Sequence, residues 1–135
     1  MLGQMEEAAE KPSMYSPLTL AYMGDCVYEV YVRAHLVATG NFSSNKLHRQ
    51  AMQYVSAKAQ SEFMNVLEPF LTDDEEAIYK RGRNAKSATV PKNADLMDYR
   101  RATGLEALMG WLYLSGRQER IDEIMTILLK EKRGI

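Results

Sequence analysis

Residues 17–39 are apolar enough to form a buried helix, yet the stretch LAYMGDCVYE places a Gly-Asp pair in the middle of them. Ser16 followed by Pro17 is typical of a helix start, because serine caps free N–H groups and proline suits the first turn. Gly40 is typical of a helix end. The sequence therefore predicts one long helix from Pro17 to about Thr39 that carries Asp25 at its centre.

This helix is apolar on two faces, which restricts the folds that can contain it. At about 100° per residue, one apolar seam runs along the helix, and Asp25 lies nearly opposite that seam. Asp25 shares its own face with further apolar side chains. A helix of this kind is predicted to be sandwiched between two partners. The predicted inward seam is Leu20, Met23, Val27, Val30, Ala34 and Val37, and the face of Asp25 holds Leu18, Ala21, Val32 and Leu36.

The remainder of the chain repeats helix-start signals, and no alternation of apolar and polar residues bounded by turns predicts a strand. With 135 residues, the chain suits one domain. The predicted fold class is therefore all-α, with about six to seven helices. The expected boundaries are Ser43 or Ser44 for the second helix, Ser56 to before Pro69 for the third, Thr72 with Glu75 as a capping box for the fourth, Asn93 to Gly116 for the fifth, and RQERIDEIMTILLKEKR for the sixth.

Composition excludes several classes of protein. Apolar residues are 46% and charged residues 26%, which favours a folded domain, and the apolar runs are too short to cross a bilayer. The N-terminal residues resemble no export signal, and the one cysteine forms no internal disulfide, so a cytoplasmic location with no membrane contact is expected. Residues 1–13 are acidic and weakly patterned. They are predicted to be a disordered tail preceding a domain over residues 14–135.

Basic residues are concentrated in one part of the chain. The net charge of −1 gives no general attraction to nucleic acid, but seven basic and two acidic residues lie between Lys80 and Arg101. The stretch RGRNAKSATVPKN, residues 81–93, has no helical pattern and predicts a functional loop. The side chains expected to contact phosphates are Arg81, Arg83, Asn84, Lys86 and Lys92, with Arg100 and Arg101 divided between this role and internal pairing.

A second carboxylate lies among apolar neighbours on the fifth helix. Glu106 falls opposite a predicted inward seam of leucines, just as Asp25 does on the first helix. Removing an ionised carboxylate from water is costly unless it is paired or coordinates a metal. Two explanations are open: an internal ion pair of Asp25 or Glu106 with Arg33, Arg100 or Arg101, or a divalent cation such as Mg²⁺ held by both carboxylates. The leucines of the seam are Leu105, Leu108 and Leu112.

LAYMGDCVYE resembles the signature helix of ribonuclease III catalytic domains, and RRATGLEALMGWLYLSG resembles their second acidic helix. The likeness covers roughly residues 14–135 and is closest to the compact branch, Mini-ribonuclease III, which consists of the catalytic domain alone. RGRNAKSATVPKN followed by YRRATGLEAL resembles that branch's own signature. The resemblance implies an all-α endonuclease that forms a homodimer through the signature helix, which would cover the helix on both faces.

The resemblance also implies a metal site. Asp25 and Glu106 match two acidic positions of the family and are expected to be the catalytic residues and the ligands of Mg²⁺, for which Mn²⁺ is able to substitute. Two further acidic positions of the larger enzymes are occupied here by Ala21 and Thr103, so the number of metal ions stays open. Residues that could supply additional oxygens are Glu29, Asp95 and Asp98.

The function that follows is metal-assisted hydrolysis of double-stranded RNA, giving 5′-phosphate and 3′-hydroxyl ends. The resemblance implies maturation of the large-subunit (23S) ribosomal RNA precursor, aided by a large-subunit ribosomal protein. An alternative is a non-catalytic RNA-binding or ribosome-assembly module with the same fold. The presence of Ala21 and Thr103 at two positions that are acidic in the larger enzymes would suit this alternative. A third is a helical protein-interaction domain whose carboxylates form ordinary ion pairs.

Overall fold

The computed structural model describes residues 10–86, 90, 92 and 95–133, and these residues form six α-helices and no strand. The prediction of an all-α fold is confirmed. No helix in this part of the chain has both the length and the hydropathy of a membrane span. The helices are α1 (Pro17–Thr39), α2 (Ser44–Val55), α3 (Ala57–Leu67), α4 (Asp73–Asn84), α5 (Leu96–Leu114) and α6 (Gln118–Arg133), with 3₁₀ turns at Pro12–Met14 and Glu68–Phe70.

The predicted helix starts at four serine or threonine residues are confirmed by their hydrogen bonds. In each case the side-chain oxygen accepts from the backbone N–H three residues later, which satisfies an otherwise unpaired donor. Thr72 and Glu75 form the reciprocal capping box. Local chemistry is therefore enough to set where these helices begin. The capping residues are Ser16 for α1, Ser43 for α2, Ser56 for α3 and Thr72 for α4.

Helix α5 is the centre of the molecule, and α1, α3, α4 and α6 pack around it. It is buried on nearly every side, and Leu105, Leu108 and Leu112 are fully inaccessible, as the predicted seam requires. The opposite face is buried as well, including Met109 and Trp111. Glu106 thus projects from a helix that is enclosed along most of its length.

Two glycines bring α1 and α5 into backbone contact. A Cβ atom added to Gly24 would lie 1.6 Å from the backbone oxygen of Glu106, and one added to Gly110 would lie 1.9 Å from the backbone oxygen of Leu20. Only glycine permits so close an approach at these two points. The Gly-Asp pair therefore places Asp25 directly beside the turn of α5 that carries Glu106.

The face of α1 that packs inside the chain differs from the predicted inward seam. Leu20 and Val27 are buried as expected, but Val30, Ala34 and Val37 are exposed. The buried face instead includes Gly24. The backbone contact of this glycine with α5 decides which side of α1 packs inside the chain, rather than the number of apolar residues on each side. The predicted seam is wrong in its second half, whereas the presence of two apolar faces is confirmed. The residues of the buried face are Leu20, Ala21, Gly24, Val27, Tyr28, Val32 and Leu36.

A buried ion pair joins α4 to α6. Glu75 is 2% exposed and accepts hydrogen bonds from Nε and Nη2 of Arg120, both at 2.8 Å. Burial alone would raise the pKa of Glu75, but the bonds from Arg120 and Thr72 outweigh burial and lower it. The pair therefore keeps Glu75 ionised in the core and anchors α6.

The N-terminal segment and the basic stretch both differ in part from their predictions. Residues 1–9 of the expected disordered tail lie outside the described residues, while Pro12 and Ser13 belong to a 3₁₀ turn. Residues 81–84 of the expected loop form the last turn of α4, because Tyr79 and Gly82 pack this end of the helix against α5. Asn93, the expected cap of α5, also lies outside the described residues, and the side chain of Asp95 caps that helix.

Candidate active site

Asp25 and Glu106, predicted as the catalytic pair, lie side by side in the structure. Asp25 follows Gly24, which contacts the backbone of Glu106, so the helix contact itself sets their separation. The two carboxyl groups are close enough to share a hydrogen bond when one is protonated. Residues 81 positions apart in sequence therefore form one acidic site.

The environment of the pair opposes two negative charges. Burial, and then the charge of Asp25, raise the pKa of Glu106 from 4.5 to about 8. Glu29 also contributes to this increase. Asp25 itself is exposed in the single chain, contrary to the prediction that it is embedded, because it borders an uncovered stripe of α1. This stripe consists of the exposed residues Leu18, Tyr22, Cys26, Val30, Ala34 and Val37. Glu106 thus bears most of the cost of desolvation.

The alternative of an internal ion pair is not supported. Among the described residues, no lysine or arginine nitrogen lies within 4.0 Å of the carboxylates of Asp25 or Glu106. Arg33 pairs with Glu29 at 3.3 Å. Arg101 donates to Oγ of Ser61 at 3.1 Å and to Oδ1 of Asn65 at 2.7 Å.

The carboxylate of Glu106 accepts a hydrogen bond from a neutral side chain. Gln60 of α3 donates from Nε2 to Oε2 of Glu106 at 3.4 Å and to the backbone oxygen of Val55 at 3.0 Å. Tyr28 is buried nearby, and its hydroxyl donates to the backbone oxygen of Tyr54 at 2.7 Å. Side chains of α1 and α3 therefore lie around this carboxylate of α5.

The chemistry of this pair suits a divalent cation. Two adjacent carboxylates without a cationic partner attract positive charge, and the pKa of Glu106 is raised by burial first and then by the charge of Asp25. In the described part of the chain, no group of three or more His, Cys, Asp or Glu residues has the arrangement of a metal site. Mg²⁺ commonly takes only one or two carboxylates and completes its shell with water and phosphate oxygens. Asp25 and Glu106 therefore fit such an ion in the presence of a phosphate-bearing substrate.

The three additional acidic residues lie at different distances from the pair. Glu29 is one turn from Asp25 and acts electrostatically on Glu106, although it also pairs with Arg33. Asp95 is the N-cap of α5, where its Oδ1 accepts from the backbone N–H of Asp98 at 3.0 Å. Helix geometry places Asp98 about 12 Å along the axis from Glu106. Glu29 is therefore the additional acid that the fold brings to the pair.

The two positions at which acidic residues are missing are closed by packing. Ala21 and Thr103 are both buried, and the Thr103 hydroxyl donates to the backbone oxygen of Tyr99 at 3.0 Å. Each lies about one turn before Asp25 or Glu106 on the same helix. The core of the site thus consists of two acids.

The basic residues predicted to contact RNA divide into two groups. Arg81 donates to the backbone oxygens of Ser13 and Tyr15 at 2.9 and 3.0 Å, and so holds the N-terminal segment. Arg83 is half-buried, its guanidinium lies over the ring of Tyr79 at 5.8 Å from the ring centre, and its Nε donates to Oδ1 of Asn84. Arg101 is committed to α3 through Ser61 and Asn65. The group that is exposed and has no side-chain partner among the described residues is Lys86, Lys92 and Arg100.

Gln60 is the residue of this site that the sequence did not indicate. It lies 46 positions before Glu106, in VSAKAQSEF, and nothing in that spacing relates it to either carboxylate. The signal was a polar residue within the apolar face of α3. That signal identifies a buried polar side chain but not its partner.

Comparisons with known proteins give one consistent result. The sequence model of the ribonuclease III domain matches residues 18–117. A protein of Brevibacillus brevis named Mini-ribonuclease 3 is 52% identical over 122 residues, which is 90% of this chain and 91% of that protein. The Mini-ribonuclease 3 of Enterococcus faecalis is 51% identical, over 84% of this chain and 88% of that protein. A crystal structure of a Fusobacterium nucleatum protein superposes with a TM-score of 0.81 at 31% identity, covering 92% of this chain and 99% of that one.

Proposed function

Since the chain belongs to the ribonuclease III family, we propose that this endoribonuclease cleaves double-stranded RNA with the aid of Mg²⁺ and leaves 5′-phosphate and 3′-hydroxyl ends. The observation that supports this proposal most strongly is the contact between Asp25 and Glu106, two carboxylates without a cationic partner in the described chain. A bound Mg²⁺ would activate water and stabilise negative charge on the phosphate. Mn²⁺ is expected to substitute for it.

The protein side chains have separate roles in this proposal. Asp25 and Glu106 hold the cation, and Glu29 adds negative charge at the rim of the site. The enclosing helices α1, α3 and α5 limit how far the carboxylates move, which keeps them in place before substrate arrives. Asp95 and Asp98 lie toward the N-terminal end of α5, and their contribution as ligands stays a prediction.

Recognition of the substrate is proposed to depend on the RNA backbone. A-form RNA hides its base edges in a narrow major groove and presents phosphates and 2′-hydroxyls across the minor groove. Lys86, Lys92 and Arg100 are the exposed cations best suited to such contacts. Arg81, Arg83, Asn84 and Arg101 are expected to act mainly by holding this region of the protein together, since each already has a partner.

Reversing the charge of Lys86 or Arg100 is expected to weaken duplex RNA binding and to reduce its dependence on salt. Each phosphate contact contributes to the salt slope, so K86E or R100E should flatten the slope by about one unit. Binding would be measured by fluorescence anisotropy between about 50 and 200 mM salt, a range over which counterion release changes the affinity strongly. K130E, an exposed lysine on α6, is the matched control. A salt slope unchanged from wild type would remove these residues from the RNA contact.

We also propose that two copies associate through the uncovered stripe of α1. Tyr22 is 84% exposed and Val30 is 59% exposed, and both lie on this stripe with Asp25 at its edge. A two-fold dimer would cover the stripe and align two active sites along one face, which suits a duplex whose strands are both cut. The residues of the stripe are Leu18, Tyr22, Cys26, Val30, Ala34 and Val37.

Substituting a charge into this stripe is expected to dissociate the dimer while the fold is kept. V30K should sediment as a 15.4 kDa monomer at micromolar concentration, whereas wild type should sediment at twice that mass. M14K is the control, because Met14 is also largely exposed, at 68%, but lies outside α1. A monomeric wild-type chain at the same concentration would contradict the proposal.

The biological substrate is proposed from the family resemblance. The precursor of large-subunit (23S) ribosomal RNA is the expected duplex, with a large-subunit ribosomal protein shaping it for cleavage in the cytoplasm. The support for this is the similarity to proteins named Mini-ribonuclease 3 over most of their length. Cleavage of a transcript carrying the paired ends of that precursor, with and without ribosomal protein, would test it.

The experiment that tests the main proposal uses the wild-type chain and a long RNA duplex. Incubation with Mg²⁺ should yield shorter duplexes, and EDTA should prevent this. Binding of the duplex without cleavage under Mg²⁺ or Mn²⁺ would favour the non-catalytic module, for which Ala21 and Thr103 are the supporting observation. A chain that neither binds nor cleaves would favour a protein-interaction domain.

A further inference from the structure

Gln60 connects three helices at the acidic site. It lies on α3, its amide nitrogen reaches Glu106 on α5, and the same nitrogen reaches the backbone oxygen of Val55, the last residue of α2. Its side chain is 3% exposed. The orientation of the amide is determined by Val55, because a backbone oxygen can only accept.

The other end of the same amide marks Gln60 as unusual for a core residue. Its Oε1 atom is buried and has no hydrogen-bond partner among the described residues. Buried polar groups in folded proteins are nearly always paired, so an unpaired oxygen weakens the fold. An apolar side chain of similar length would fill this position without that cost. The presence of an amide here is therefore better explained by the hydrogen bonds that its nitrogen donates.

The partner of that nitrogen is one of the two carboxylates. At 3.4 Å the bond to Glu106 is long for an N–H donor, so the carboxylate oxygens remain available to a cation. An arginine or lysine in this position would cancel the charge of Glu106 and compete with a cation. A neutral amide leaves the negative charge available.

We propose that Gln60 is a positioning residue, which orients the Glu106 carboxylate toward Asp25 for a shared divalent cation through the hydrogen bond from its amide. This inference rests on the proposed function, since it assigns Gln60 to the same metal site. Gln60 acts through Glu106 and touches neither the cation nor the RNA. Groups that orient metal ligands in this way commonly change metal affinity about 10- to 100-fold when they are removed.

The test measures Mn²⁺ binding to the full chain by titration calorimetry, without RNA. Gln60→Met keeps the length of the side chain but removes the donor, and it is expected to weaken Mn²⁺ binding about tenfold or more. Thermal unfolding in EDTA should change little, because the unpaired Oε1 atom is removed together with the donor. Gln50→Met is the matched control, since Gln50 also has a buried, unpaired Oε1 atom but no bond to Glu106.

A second variant, Gln60→Asn, keeps the amide but shortens the reach, and it should show the same loss of affinity. The proposal would be overturned by Mn²⁺ affinities of Q60M and Q60N within twofold of wild type. It would equally be overturned if both variants lost their fold, which would make Gln60 structural. A wild-type chain that binds Mn²⁺ but does not cleave duplex RNA would contradict the proposed function and leave the role of Gln60 intact.

Discussion

Replacing Glu106 with Gln is expected to abolish cleavage of duplex RNA while the protein stays folded. The substitution keeps the shape of the side chain and one oxygen that can accept from Gln60, and it removes the charge that would hold a cation. Even outer partners of metal ligands are worth about 10- to 100-fold, so loss of a direct ligand should exceed about 100-fold in rate. Asp25→Asn should have the same effect, because both carboxylates belong to one site. Rates would be measured at saturating Mg²⁺ by gel electrophoresis of a labelled duplex.

The same variant should change how stability depends on pH. The pKa of Glu106 is raised from 4.5 to about 8 in the folded chain, so the folded state keeps a proton that the unfolded state has lost. The resulting stabilisation is complete below pH 4.5 and disappears as the pH rises through about 8. Wild type in EDTA should therefore lose stability across this range, and E106Q should lose less.

Thermal unfolding in EDTA at several pH values tests this expectation. At pH 9, E106Q is expected to melt about 3 °C or more above wild type, which corresponds to about 1 kcal/mol for a chain of this size. Adding Mg²⁺ at that pH should stabilise wild type and not E106Q. Glu62→Gln, which removes an exposed carboxylate from α3, is the control. Equal cleavage rates for E106Q and wild type would refute the assignment of this site.

The starts of the first four helices could be predicted because their causes are local. A serine or threonine side chain and a backbone N–H three residues later are enough to set a cap, and both are visible in the sequence. The two carboxylates could be predicted for a similar reason, since a charged residue on an apolar helical face is conspicuous. Their pairing came from a family resemblance and was then supported by the contact between Asp25 and Glu106.

The features that sequence reasoning missed depend on contacts between distant residues. Hydrophobic periodicity treats Val27 and Val30 as equals, but Gly24 decides which side of α1 meets α5. Gln60 has no local partner, and its role becomes visible only when α3 and α5 are packed together. The sequence predicts a loop for the last turn of α4, because this stretch is rich in basic residues and shows no clear helical pattern. In the structure the turn is helical, and Tyr79 and Gly82 are buried against α5.

Substitution of Gly24 by Ala is expected to be the most damaging change to the fold. The new Cβ atom would lie 1.6 Å from the backbone oxygen of Glu106 and 2.8 Å from the backbone nitrogen of Gly110. Backbone atoms cannot move aside as a flexible side chain can, so α1 and α5 would have to separate. Overpacking of a core costs about 1–3 kcal/mol and sometimes more. We expect about 3 kcal/mol or more here, measured by urea unfolding.

Gly116→Ala separates this packing effect from the general effect of replacing glycine. Gly116 has a φ of 72°, and a Cβ added there meets no atom within 4 Å. Its substitution should cost about 1 kcal/mol, from backbone strain alone. A Gly24→Ala chain no less stable than Gly116→Ala would show that α1 and α5 are not held in backbone contact. Because the same contact sets the distance from Asp25 to Glu106, G24A should also weaken Mn²⁺ binding wherever the chain remains folded, whereas G116A should not.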